Sequence, residues 1–212
     1  MPLYKSITIA PGTQLLIWQI TESLEELSEG VALKDVCISR VKNMKSEQHR
    51  KGFMGVRKLL QTAGYSDFDL YYDVNGKPHL KDGKNISITH SFAFSAIIIG
   101  EAVTGIDMEI QREKVITIAE KFLEPEFAYL NPTHLEEYMR KLIIIWCVKE
   151  AVYKMISRNG LSFKQNITVH PFEIADGKGS ASVKFEDINN IYPFVFEEME
   201  GFTMAYSLEK HS

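Results

Sequence analysis

Apolar and polar positions change period several times along the chain. Residues 13–20, TQLLIWQI, are strand-like, and TESLEEL then supplies the S/T-x-x-E spacing of a helix start. From Ser46 onward, Phe53, Val56, Leu59 and Leu60 fall on one helical stripe, with Gly64 as a natural stop. FDLYYDVNGKPHL reads as strand, Asn-Gly turn, short strand. Strands are predicted over residues 86–89 and 94–99, with a bend at residues 90–92, and AVTGIDMEIQ supplies another. Helical stretches follow near residues 115–122 and 124–130, and a long one covers about 134–157. Short strands close the chain at residues 167–170, 180–185, 193–197 and 202–208. The fold class is α+β, with a soft boundary near residues 101–104.

The segment GIDMEIQ holds the most informative alternation. Ile106, Met108 and Ile110 alternate with Asp107 and Glu109, so both acids share one face, roughly 7 Å apart. The plain reading is a strand with one wet face. Two aligned carboxylates oppose each other's ionisation, however. If a third oxygen ligand and a basic group converge on them, a hard cation such as Mg²⁺ becomes the natural occupant. WCVKEAVYK offers both groups. Trp146, Glu150 and Lys154 follow at i, i+4 and i+8, and Ile143 and Cys147 share their stripe. A helix face that begins apolar therefore turns charged; the competing reading is a surface ion pair.

Composition narrows the classes. The chain has 212 residues, 45% hydrophobic and 25% charged, which suits a folded protein with one larger or two small domains. A net charge of −4 leaves no global basic field, so nucleic acid is not an expected partner. Cys37 and Cys147 form no CxxC or Cys/His cluster, which argues against a disulfide framework or structural zinc and for a reducing, cytoplasmic setting. The opening MPLYKSITIA lacks the pattern of a signal peptide. The longest apolar run, residues 142–148, is too short for a bilayer, so no membrane association is expected.

Three segments, NISITHS, GIDMEI and WCVKEAVYK, occur in an order and spacing that resembles the 4′-phosphopantetheinyl transferases, specifically the larger surfactin-synthetase-activating type. NGKPHL upstream and NGLSF downstream are similar to further segments of that family. The resemblance implies a monomer of two similar α/β lobes, residues 1–102 and 103–212, related by a pseudo-two-fold, with the active site in the cleft between them. It implies transfer of 4′-phosphopantetheine from coenzyme A to a serine of an apo acyl or peptidyl carrier protein, releasing 3′,5′-ADP. The carrier would belong to fatty-acid, polyketide or nonribosomal-peptide biosynthesis.

Residue by residue, the resemblance assigns Asp107, Glu109 and Glu150 to Mg²⁺, and Lys154 to the coenzyme A phosphates. Glu150, or a metal-bound water it polarises, would take the serine proton. Thr89 and His90 would meet the 3′-phosphate end, Lys77 the adenine and 3′-phosphate, and Arg50 and Arg57 the same region; Lys149 matches the family's KE lysine. Thr89 stands where serine is usual but keeps the hydroxyl, and Phe92 stands where glycine is common.

Each residue also has a plainer reading. His90 shares strand parity with Ile86 and Ile88, and Lys77 sits in a turn that suits a solvated lysine. Trp146 and Cys147 read as core, and Arg112, Glu113 and Lys114 as a solvated charge run. Phe122, Leu123, Phe127 and Tyr129 are either core or a docking surface for an acidic carrier. Two alternatives compete with the transferase: a non-catalytic relative that binds coenzyme A or a carrier, and a Mg²⁺-dependent phosphohydrolase. Intact Asp107, Glu109, Glu150 and Lys154 argue against the first, and the lack of further acids for a second metal against the other.

Overall fold

A computed structural model describes residues 3–209. The chain divides into two compact units, one up to Glu101 and one from Ala102. Each is an antiparallel sheet with helices packed on it. Among the described residues, no helix is long and apolar enough to cross a membrane.

The first unit has strands β1 (Leu3–Ala10), β2 (Thr13–Gln19), β3 (Leu70–Tyr72), β4 (Pro78–Leu80), β5 (Asn85–Ser91) and β6 (Phe94–Gly100). Their order in the sheet is β1-β2-β6-β5-β4-β3. Helices α1 (Leu24–Ser28), α2 (Asp35–Asn43) and α3 (Glu47–Thr62) complete it. Helix α1 starts on the capping box that its sequence spells: Ser23 and Glu26 satisfy each other's backbone N–H groups. Helix α3 starts at Ser46, whose side chain accepts from the His49 N–H, and the chain leaves it through Gly64 at φ +84°. Its Phe53, Val56, Leu59 and Leu60 join Leu16, Trp18, Leu27 and Ile97 in the unit's core. Beside Gly52 and Gly55 the helix lies close to the sheet: a Cβ at Gly55 would meet the Ser95 hydroxyl at 2.7 Å.

The second unit holds β7 (Thr104–Ile110), α4 (Lys114–Ile118), α5 (Leu135–Ile156), α6 (Phe163–Asn166), β8 (Ile167–Val169), β9 (Lys178–Phe185), β10 (Ile188–Met199) and β11 (Phe202–Leu208). The sheet order is β7-β11-β10-β9-β8. Leu142, Ile144, Ile145, Val148 and Val152 of α5 pack with Ile167, Val183 and Phe194 to form the core.

Two elements lie outside those predicted. Strand β1 is an edge strand, exposed or half-buried throughout, and Ser6 and Thr8 weaken its alternation. Helix α2 buries only Cys37 and has no side-chain cap, so neither a stripe nor a start signal marks it. Conversely, the helices expected over residues 115–122 and 124–130 shrink to α4 and two 3-10 turns, Ala119–Lys121 and Pro125–Ala128.

The largest correction concerns β7. Its acidic face is not wet: α5 covers it. Gly105, Asp107 and Glu109 share that face with their cross-strand partners Ser207, Ala205 and Thr203 of β11. Small residues there let the helix in. A Cβ at Gly105 would overlap the carbonyl oxygen of Ala151 and lie 2.7 Å from its carbon and 2.9 Å from the Met155 side chain. Backbone atoms of a buried helix cannot step aside cheaply. Gly105→Ala should therefore destabilise the protein by about 2–3 kcal/mol or more, the upper range for overpacking. Urea unfolding measures this, and an unchanged midpoint would refute the close approach.

Candidate functional site

The close approach sets side chains of α5 against the acids of β7. Lys154 Nζ donates to Asp107 Oδ1 at 2.8 Å and to the Ile106 carbonyl at 2.9 Å. Asp107 is only 5% exposed, whereas Glu109, Glu150 and Lys154 are half-buried. The Trp146 indole N–H donates to the Glu109 carboxylate, and the Cys147 thiol bonds to Asp107. Four of the predicted residues, Asp107, Glu109, Glu150 and Lys154, are thus brought together on two elements.

The electrostatics follow from burial and like charge. Burial pushes the Glu109 carboxyl up to about 7, Asp107 and Glu150 add to the rise, and Trp146 and Lys154 oppose it. Glu150 is also raised, chiefly by burial and then by Asp107, with Lys154 opposing. Burial, reinforced by Asp107 and Glu109, holds the Cys147 thiol well above its ordinary range, so this cysteine is no nucleophile. The site is a pocket of carboxylates with more negative charge than its one lysine offsets.

Such a donor set, all carboxylate oxygen, fits a hard divalent cation. Among the described residues, however, no three His, Cys, Asp or Glu side chains form a ready metal cluster. Asp107 turns one oxygen to Lys154 instead.

The remaining predicted residues lie elsewhere. Lys149 is a correction. It is fully buried, and its ammonium pairs with Glu126 Oε1 at 2.7 Å and donates to the carbonyls of Phe122 and Phe163. Its three donors are spent inside the unit, so it is not a group that reaches coenzyme A. Arg57 is a second correction. Its guanidinium is buried in the first unit, stacked on Phe53 at 3.6 Å and paired with buried Asp67 at 2.8 Å. The pairing holds because a buried charge needs a partner, and Asp67 has one.

Thr89 is buried on β5, and His90 is exposed, with its ring against Gly52 of α3 and 6.4 Å from the His49 ring. Arg50, half-buried on α3, has a buried Nε without a hydrogen bond among the described residues. Lys77 is half-buried in the β3–β4 loop, where its backbone N–H donates to Asp73. Phe92 takes φ +43°, so the β5–β6 hairpin turns through the left-handed region although glycine is absent. Gln48 of α3 donates to its carbonyl. Of the docking candidates, Phe122 and Leu123 are core, Tyr129 is half-buried and Phe127 is exposed. Arg112, Glu113 and Lys114 are exposed.

Two residues of the site are not among those predicted. Trp146, read as core, is bound to Glu109; its place on the stripe of Glu150 and Lys154 was the available signal. Glu126, fully buried, sits in a 3-10 turn with no periodicity to announce it.

The raised Glu109 has a consequence for stability. The unfolded chain ionises this group near the ordinary glutamate value, whereas the folded protein keeps its proton up to about pH 7. The folded state binds more protons in that window, so stability falls as pH rises through it. Glu109→Gln should stabilise the metal-free protein at pH 8 by roughly 1–2 kcal/mol, allowing for solvent screening, and the gain should vanish near pH 4. Denaturant melts at the two pH values test this; a gain independent of pH would contradict it.

The family profile described as ACPS, 4′-phosphopantetheinyl transferase superfamily, matches residues 104–207. No curated protein matches the chain significantly. The matched segment runs from the first residue of β7 almost to the end of β11 and includes all four clustered residues. Over residues 104–207, the chain is therefore similar to the 4′-phosphopantetheinyl transferase superfamily, which supports a transferase of that general class.

Proposed function

We propose that the protein transfers 4′-phosphopantetheine from coenzyme A to the hydroxyl of a carrier-protein serine. The observation that carries this reading is the gathering of Asp107, Glu109 and Glu150 with Lys154 beneath α5, within the segment that matches the superfamily. In the reaction the serine Oγ forms a bond to the phosphorus that bears pantetheine. The bond from that phosphorus to the bridging oxygen breaks, and 3′,5′-ADP leaves.

Asp107, Glu109 and Glu150 would hold Mg²⁺, which when bound supplies positive charge to the pyrophosphate oxygens. For this Asp107 would exchange its contact with Lys154 for the cation. Lys154 then has N–H donors for a phosphate oxygen, as a point charge on a stem anchored to the strand. Glu150 takes the serine proton. Its raised proton affinity, caused by burial and by Asp107, suits a general base near neutral pH. In the first unit, Lys77, Thr89, His90 and Arg50 are proposed to meet the 3′-phosphate end of coenzyme A.

This is tested by incubating the protein with Mg²⁺, coenzyme A and apo carrier proteins, and weighing the carriers by mass spectrometry. The expected result is a gain of one phosphopantetheine on serine. Asp107→Ala should lower the rate on the order of 10²–10³-fold, the usual loss when one electrostatic group is removed from such a site. No mass gain on fatty-acid, polyketide or peptide-synthetase carriers would overturn the reading.

A further inference from the structure

The Lys149–Glu126 pair has no role in the chemistry above, and stability alone is a poor reason for it. Replacing a buried ion pair by apolar side chains is often neutral or stabilising. What the pair does is fix backbone. Lys149 Nζ holds the Phe122 carbonyl at 2.7 Å and the Phe163 carbonyl at 3.0 Å. Glu126 in turn accepts from the Val169 N–H at 2.9 Å and the Glu124 N–H at 3.2 Å. Helix α5, the 3-10 segment after β7, the start of α6 and strand β8 are tied at one point.

The two residues whose carbonyls Lys149 grips also present their rings to Trp146. Phe122 meets it edge-on with centroids 5.1 Å apart, and Phe163 lies tilted at 5.7 Å. Ring contacts are weakly directional, so the anchored carbonyls, not the rings, set where the indole sits. The indole N–H donates to Glu109. Without a donor there, repulsion from Asp107 and Glu150 would favour rotation of the Glu109 side chain toward solvent. A hydrogen bond to an ionised acceptor is strong enough to resist that.

We propose that Trp146 is a positioning residue that aims the Glu109 carboxylate, and that the buried Lys149–Glu126 pair holds Trp146 in place. The consequence for function rests on the transfer reading; the structural link does not.

The link is read by nuclear magnetic resonance. The chain has two tryptophans, Trp18 and Trp146, so ¹⁵N-labelled protein gives two indole N–H signals, assigned with Trp18→Phe. Glu109→Ala should shift the Trp146 signal. Lys149→Met, or Glu126→Gln if that variant does not fold, should shift it too. For function, Trp146→Phe keeps a ring between Phe122 and Phe163 but loses the N–H. It should melt close to the wild type and need about tenfold more Mg²⁺ for half-maximal transfer, as expected for one charge-assisted bond. The KM for coenzyme A at saturating Mg²⁺ should stay within about twofold, a split that general loosening would not produce.

An indole signal unmoved by Glu109→Ala, or by the folded variant of the buried pair, overturns the link. An unchanged Mg²⁺ requirement in Trp146→Phe overturns its role in function. If the wild type transfers nothing, the transfer reading fails and the resonance measurements decide the link alone.

Discussion

Helix α5 lies against strand β7 so closely that Gly105 has no room for a Cβ, and much else in the second unit follows from that contact. The approach brings the i, i+4, i+8 stripe of α5 down onto the acidic face of β7. Trp146 then meets Glu109, and Lys154 meets Asp107. Had the strand been spaced further off, the acids would be solvated and Lys154 would reach them only as a screened surface charge. Close packing makes the same groups strongly coupled, because burial removes the water that would separate their charges.

That coupling carries a cost that the fold does not need. Three carboxylates share a partly dry pocket with one lysine, and Glu109 and Glu150 hold their protons more tightly as a result. An apolar or neutral set of side chains would pack with less strain on the folded state. Groups kept in a conflicted state are common where binding or catalysis demands them. The buried Lys149–Glu126 pair belongs to the same picture, since it orders backbone around Trp146 where a hydrophobic pair would fill space without direction.

The sequence made the long, periodic elements readable. The Ser46 cap, the stripe of α3 and the run of α5 all follow rules of local spacing. The acid pair and the Glu150–Lys154 pair were also legible, because strand and helix periods are fixed. Which face of β7 is covered was not. Alternation separates two faces but does not say which one a helix will take, and here both rows are largely buried. The partners of Lys149 and Arg57 were hidden for a related reason. A lysine motif or a helix arginine carries no mark of the acid, Glu126 or Asp67, that tertiary packing will bring to it. Edge strand β1 and helix α2 escaped because neither buries a continuous apolar row.

The account's central claim is that the desolvated acids beneath α5 form a place for a hard cation. The most direct test is the melting temperature of the protein at pH 8 as Mg²⁺ is raised. A cation held only by the folded state must stabilise it. The wild type should melt progressively higher with Mg²⁺, and the Asp107→Asn/Glu109→Gln double variant should not respond. A flat response in the wild type, or an equal rise in the double variant, would contradict the account.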